Sequence, residues 1–225
     1  MTEATSATFS HAVIAAVKER IITWQYPPEH RLTEEALCRE FGISRSPVRE
    51  ALHVLATNGF IRRLDNRGYA VRQVKLRDLE ELYDVRLALE LFAIEMLATQ
   101  GAPEQELAAL AATWQAVGRS PPADLAELAA LDAGFHEQLA RLAGNSLLVQ
   151  QLQGINERLF VFRTIDFGKA DRVASTCAEH LAILERVGAR DAAGARVALR
   201  HNIEQGRSIV GESIQEALAR AYVRP

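Results

Sequence analysis

The stretch LTEEALCREFGISRSPVREALHVLATNGFI occupies residues 32–61. Thr33 stands where an N-cap belongs, Leu37 and Phe41 point inward at helical spacing, and Gly42 supplies the stop. After a short link, a second run places Val48, Ala51, Leu52 and Leu55 on one stripe. Ser44 or Ser46 can cap this helix, Pro47 sits in its tolerated first turn, and Gly59 closes it. Working outward, HAVIAAVKERIITW puts Val13, Ile14, Val17, Ile21 and Trp24 at helical spacing behind Ser10 as N-cap, and Tyr26-Pro27-Pro28 ends it. Residues 1–8 are small and polar and are expected to be disordered. Downstream, FIRRL and YAVRQV read as strands around Asp65-Asn66-Arg67-Gly68, a hairpin composition. Three helices followed by a hairpin outline a winged helix-turn-helix.

Beyond Leu76 no strand signal survives. Helices are expected over about 78–100, 103–118, 122–143, 145–166, 170–189 and 191–222, separated by Gly101-Ala102-Pro103, Gly118 to Pro122, Gly144-Asn145, Phe167-Gly168-Lys169 and Gly188 to Asp191. Short links between helices imply antiparallel packing in a bundle. The expected chain is therefore mainly α: a winged helix-turn-helix over 1–72, a linker at 73–78, and an all-helical antiparallel bundle over 79–225.

Composition sets bounds on function. Of 225 residues, 48% are apolar and 24% charged, which suits a folded domain or two and excludes wholesale disorder. No apolar run reaches the roughly 20 residues of a membrane span, and no secretory signal is visible, so a cytoplasmic location without membrane partners is expected. Cys38 and Cys177 are too few and too far apart for a disulfide framework. The net charge of −3 hides an asymmetry. Residues 1–77 hold 12 Lys+Arg against 8 Asp+Glu, whereas residues 78–225 hold 14 against 21. A basic first third suggests contact with a polyanion.

The second helix of a helix-turn-helix pushes its first residues into the major groove. Here those residues are Ser44-Arg45-Ser46-Pro47-Val48-Arg49. Arg45 and Arg49 are four apart, on one face, away from the Val48/Leu52/Leu55 stripe. Guanidinium forks at this spacing can address guanines or phosphates, and Ser44 and Ser46 can donate to phosphates. Arg67 and Gly68 at the hairpin tip would reach an adjacent groove or backbone, and Arg62 and Arg63 extend the basic surface. A solvated arginine pair is the plain alternative. The turn, the core spacing and the wing, all in sequence, weigh against it.

On these residues, SRSPVREAL above all and RGYAV after it, the first domain resembles that of GntR-type bacterial transcription regulators. The helical remainder is similar to the sensor domain of the FadR subfamily, and six helices resemble its shorter, VanR-like branch. Glu35 departs from the pattern, standing where such proteins often carry a basic residue on the DNA backbone. A carboxylate repels phosphate, so that contact is not carried over.

LDAGFHEQLA sets Asp132 and His136 four apart on one helix face, where a carboxylate and an imidazole can share one ion. The acidic part of the chain has three histidines, His136, His180 and His201, each in a different expected helix. Spacing alone gives hydrogen-bonded core histidines at least as much weight as a metal. The resemblance implies one aspartate and three histidines around a divalent transition metal (Zn, Ni, Fe or Mn), matching Asp132, His136, His180 and His201. It also tilts Arg86 toward contact with a small carboxylate effector, against a plain salt bridge to Glu90. Asn145 reads as a helix cap, and Arg158 and Arg163 are left undecided.

The function expected is a homodimeric, ligand-responsive regulator, with repression the expected sign, binding an inverted-repeat double-stranded DNA operator. The competing reading is a small helical metal-dependent enzyme acting on a carboxylate substrate. It would need an acid or base from Glu90, Glu137 or Glu179 and leaves the SRSPVREAL helix and wing without a role.

Overall fold

The computed structural model describes residues 3–22, 25–57, 59–65, 68–72 and 76–223. It divides into two compact units, Met1–Lys75 and Leu76–Pro225.

The first unit contains α1 (Glu3–Ile22), β1 (Arg31–Leu32), α2 (Glu34–Phe41), α3 (Arg45–Thr57), β2 (Ile61–Arg63) and β3 (Tyr69–Val71). Local chemistry explains the helix-turn-helix. The Thr33 hydroxyl accepts the Ala36 amide proton at 3.2 Å, satisfying an otherwise unpaired donor of the first turn of α2. Gly42 takes φ 66°, the left-handed conformation that ends α2 and that a side chain resists. α3 then buries Pro47, Val48, Ala51, Leu52 and Leu55, meeting α1 through Val13 and Val17. The three strands form an antiparallel sheet in the order β1-β3-β2, with Ile61 opposite Val71 and Arg31 opposite Ala70.

Two expectations change here. α1 begins at Glu3, so Ser10 is not its cap but a buried position well inside the helix. The strand β1 was not expected, because two residues are too short to show a period of two. Trp24, Asn66, Arg67, Gln73 and Val74 lie outside the described residues.

The second unit is helical throughout: α4 (Leu76–Gln100), α5 (Glu104–Arg119), α6 (Leu125–Leu142), α7 (Ser146–Phe167), α8 (Arg172–Gly188) and α9 (Ala192–Val223). α4 starts inside the segment expected as linker. Its Asp78 complements the helix N-terminus, and Leu79 is already buried. Polar side chains cap three of the other starts, with Asp124 accepting from Ala126 N–H at 2.8 Å, Asn145 from Leu148 N–H at 3.1 Å and Asp191 from Gly194 N–H at 2.8 Å. α5 and α8 begin without a side-chain cap. Consecutive helices α6/α7 and α8/α9 pack together, but α4 packs chiefly on α9 and α5 on α8. Non-sequential pairing brings α4, α6, α7 and α8 around one interior. Among the described residues no helix is long and apolar enough to cross a membrane.

Candidate functional site

Two places carry chemistry, one in each unit.

In the second unit, α6 and α8 turn Asp132, His136 and His180 toward each other, all buried, with one ligand atom from each within 4.8 Å of the others. Asp132 and His136 share a face because they are one turn apart. His180 comes from α8, and its Nε2 lies 3.3 Å from Asp132 Oδ1. The His180 ring is wedged between Phe135, stacked at 3.8 Å between centroids, and Trp114, edge-on at 4.1 Å. Packing thus fixes where its nitrogens point.

A surrounding layer orients this cluster. Glu90 on α4 bridges Arg86 Nε at 2.6 Å and His136 Nδ1 at 2.5 Å. Burial would raise the Glu90 carboxyl, but the His136 and Arg86 charges outweigh it and hold it at about 2. Glu90 is therefore an acceptor and draws a proton onto His136 Nδ1, which leaves Nε2 as the ring position open to a further partner. Arg163 on α7 lies with Nε 2.9 Å from Asp132 Oδ2, an ion pair whose N–H is not aligned as a hydrogen bond, while its Nη2 donates to Asn156 at 2.9 Å. Burial would likewise raise Asp132, but Arg163 and the two imidazoles keep it well below the usual carboxylate range. Burial pushes His180 down to about 4, against the attraction of Asp132, so at neutral pH its ring is uncharged.

The residues fit a metal. His136 Nε2 and both His180 ring nitrogens are buried and hydrogen-bond nothing. Each such atom costs about 1–3 kcal/mol if left dry and unpaired. A carboxylate and two imidazoles form an oxygen–nitrogen donor set suited to a divalent transition ion. Glu90 supplies the outer carboxylate that metal-bound histidines usually have.

His201 is not part of this cluster. It is exposed on α9, whose buried positions among the described residues are Ala195, Leu199, Asn202, Ile203, Gly206 and Val210. At about 100° per residue, position 201 faces outward while its neighbour faces in. Asn202 is buried instead, donating to Glu179 at 2.7 Å. The histidine was visible in the sequence; the rotation of a 32-residue helix was not. Arg86 is buried and bonds Glu90, the alternative its spacing offered, while its Nη2 is left without a partner. Arg163 leaves Nη1 unpaired as well. Trp114 and Phe135 were given no role from sequence, and Glu90 only that of a partner for Arg86 or of an acid or base in the competing reading. Its hold on His136 joins α4 to α6, 46 residues apart, and no local spacing shows it.

The three glutamates that could serve an enzyme are all engaged. Glu90 is held as above, Glu137 by Arg141 and Asn156, and Glu179 by Arg172 and Asn202.

In the first unit, Ser44, Arg45, Ser46 and Arg49 are all exposed on or beside the start of α3. A groove of about 720 Å³ runs between α3 and the hairpin, lined among others by Arg45, Arg49, Arg63, Glu34, Glu35 and Gly68. Arg62 is paired with Glu29 at 2.5 Å. Gly68 has φ 100°, and a Cβ there would meet Leu32 O at 3.0 Å. Its need for glycine is thus set by the turn. Arg67 lies outside the described residues.

Comparison with known proteins agrees with this division. The family described as bacterial regulatory proteins, gntR family, matches residues 9–71, and the FCD domain matches residues 81–205. The Nta operon transcriptional regulator of Aminobacter aminovorans is 34% identical over 65% of this chain and 69% of its own. The gluconate operon transcriptional repressor of Bacillus licheniformis is 32% identical over 61% of this chain and 56% of its own. Among solved structures, McbR/YncC of E. coli superposes with a TM-score of 0.65 at 20% identity, over 92% of this chain and 98% of the other. The gntR family and the curated relatives matched are transcription regulators, not enzymes.

Proposed function

Because the chain belongs to the gntR family of bacterial regulatory proteins, with an FCD domain behind its DNA-binding domain, we propose that it is a dimeric cytoplasmic repressor released from its operator by a small carboxylate. Ser44, Arg45, Ser46 and Arg49 would enter the major groove of each half of an inverted repeat, with Arg67 and Gly68 of the wing beside them. Asp132, His136 and His180 would hold one divalent transition ion per chain. Such an ion supplies a positive centre that attracts a carboxylate oxygen into a water-poor interior.

The chain's own groups do the rest. Glu90 keeps the His136 proton on Nδ1 and so keeps Nε2 free. Trp114 and Phe135 hold the His180 ring and exclude water. The unpaired Nη2 of Arg86 would take the second oxygen of the effector's carboxylate, giving a charge-assisted bond. Arg86 lies on α4, the helix that directly follows residues 73–75. A shift of α4 on ligand binding would therefore act on the chain leading to the DNA-binding unit. The effector must bind the released arrangement better than the DNA-bound one, or nothing switches.

The observation that carries this reading is the buried set of unpartnered atoms, His136 Nε2, His180 Nε2 and Arg86 Nη2. Repression as the sign is supported by the relative named for it in the gluconate operon. The test is metal analysis of protein purified without chelators, followed by thermal-shift screening of organic and sugar acids and operator release by any hit. Protein free of stoichiometric metal, or hits that leave the operator bound, would remove the sensing half of the proposal.

A further inference from the structure

α3 presents two arginines, one turn apart, to the same groove, and they are held differently. Arg45 is exposed and, among the described residues, forms no ion pair or side-chain hydrogen bond. The Arg49 side chain is 63% exposed, yet its Nε donates to both carboxylate oxygens of Glu34, at 3.0 and 2.9 Å. Glu34 is the more sheltered partner, at 31%. It stands in the first turn of α2, a helix fixed by the Thr33 cap at one end and left-handed Gly42 at the other. The carboxylate is thus carried by a rigid element. It grips the guanidinium by one edge, and neither Nη hydrogen-bonds any described residue.

This grip has two consequences. Nε–H is committed to Glu34, which leaves Nη1 and Nη2 as a fork of the shape that pairs with O6 and N7 of guanine. The Glu34 charge also offsets that of Arg49, so the pair offers phosphate little net Coulomb attraction. An exposed ion pair adds little to folding stability, so stability does not account for its placement in the groove.

The geometry points to Glu34 as a positioning residue for base reading: it commits Arg49 to a guanine in the major groove and withholds it from the phosphate backbone. Arg45, without a carboxylate partner, keeps its full charge for either task. This rests on the DNA-reading half of the proposed function and is independent of the metal site.

The experiment begins by enriching bound sequences from a pool of random duplexes of about 30 base pairs with the full-length protein, long enough for two half-sites. Affinities of wild type, Glu34→Gln and Glu34→Asp are then measured across a salt series. The duplexes are the enriched one, the same with each guanine in turn replaced by adenine, and an unrelated one. For Glu34→Gln, discrimination against one guanine replacement per half-site is expected to fall by about tenfold. Affinity for the unrelated duplex should rise, and the dependence on salt should steepen by about one contact per α3. Glu34→Asp keeps the charge but withdraws the carboxylate by one methylene, so discrimination should fall while the salt dependence stays near that of wild type. On an Arg49→Ala background, Glu34→Gln should leave discrimination unchanged.

Full discrimination at every guanine in Glu34→Gln overturns the assignment, as does the same loss in the Arg49→Ala background. An Asp variant indistinguishable from wild type would reduce Glu34 to a charge and overturn its positioning role. If the wild-type protein enriches no sequence at all, the reading of α3 as a DNA-contacting helix fails, and the role of Glu34 with it.

Discussion

His136 and His180 between them bury three ring nitrogens that hydrogen-bond nothing, and their neighbours differ in what they contribute. Glu90 touches no candidate ligand atom of Asp132 or His180, yet it decides which His136 nitrogen is free. Glu90→Gln is therefore expected to lower metal affinity by about 10–100-fold, read by calorimetric titration, with the helical circular dichroism unchanged. His180→Ala should abolish stoichiometric metal, whereas His201→Ala should leave it intact. Equal loss in both would return His201 to the site. At the DNA face, Arg49→Ala should weaken binding to an enriched operator by about 1–3 kcal/mol and relax base preference at one step per half-site. An unchanged footprint would remove Arg49 from the contacts. In each case the residue type was readable beforehand, but the partner that gives it a role, Glu90 for His136 or Glu34 for Arg49, lies on another helix.

Elements were legible where their signals are local. The six helices of the second unit fall close to their expected limits because Gly and Pro breaks and Asp or Asn caps act within a few residues. β1 was not legible, since its only claim to be a strand is pairing with β3, a partner 37 residues on. The start of α1 was misplaced because Ser10, a good cap by type, is also tolerated inside a helix when neighbours pack around it. The hairpin depends on Gly68, at φ 100° and with a Cβ position tight against Leu32 O at 3.0 Å. Gly68→Ala should cost about 1–3 kcal/mol in urea unfolding and loosen the wing. A variant as stable as wild type would show that the turn can relax without glycine.

Across the whole second unit, two buried groups give stability opposite pH dependences. Burial raises Asp166 to about 6 despite its contact with Arg172. Its favourable contribution is present in acid and is lost as pH rises from its ordinary 3.8 through about 6. Burial lowers His180 from 6.5 to about 4, so its contribution is present above 6.5 and is lost as pH falls through about 4. In metal-stripped wild-type protein the two oppose each other between these limits. Asp166→Asn removes the compensating gain, so unfolding free energy should fall more steeply on acidification from pH 6.5 to 4. Parallel curves for the two proteins would show that Asp166 does not titrate in that window. Adding back the divalent ion should raise the melting temperature in a concentration-dependent way, because only the folded state brings Asp132, His136 and His180 together.

Sequence alone determined the division into a winged helix-turn-helix and a helical bundle, the arginines of α3, and the Asp132/His136 pair. Each of these is written in spacings of four residues or fewer, or in turn residues that act locally. Tertiary structure decided what lies between helices. It put His201 on the exposed side of α9 and buried Asn202, brought Glu90 to His136 and Arg163 to Asp132, and set Glu34 against Arg49. Those outcomes depend on the rotation and pairing of helices far apart in the chain, and helix rotation is set by the summed packing of many side chains rather than by any short run of them.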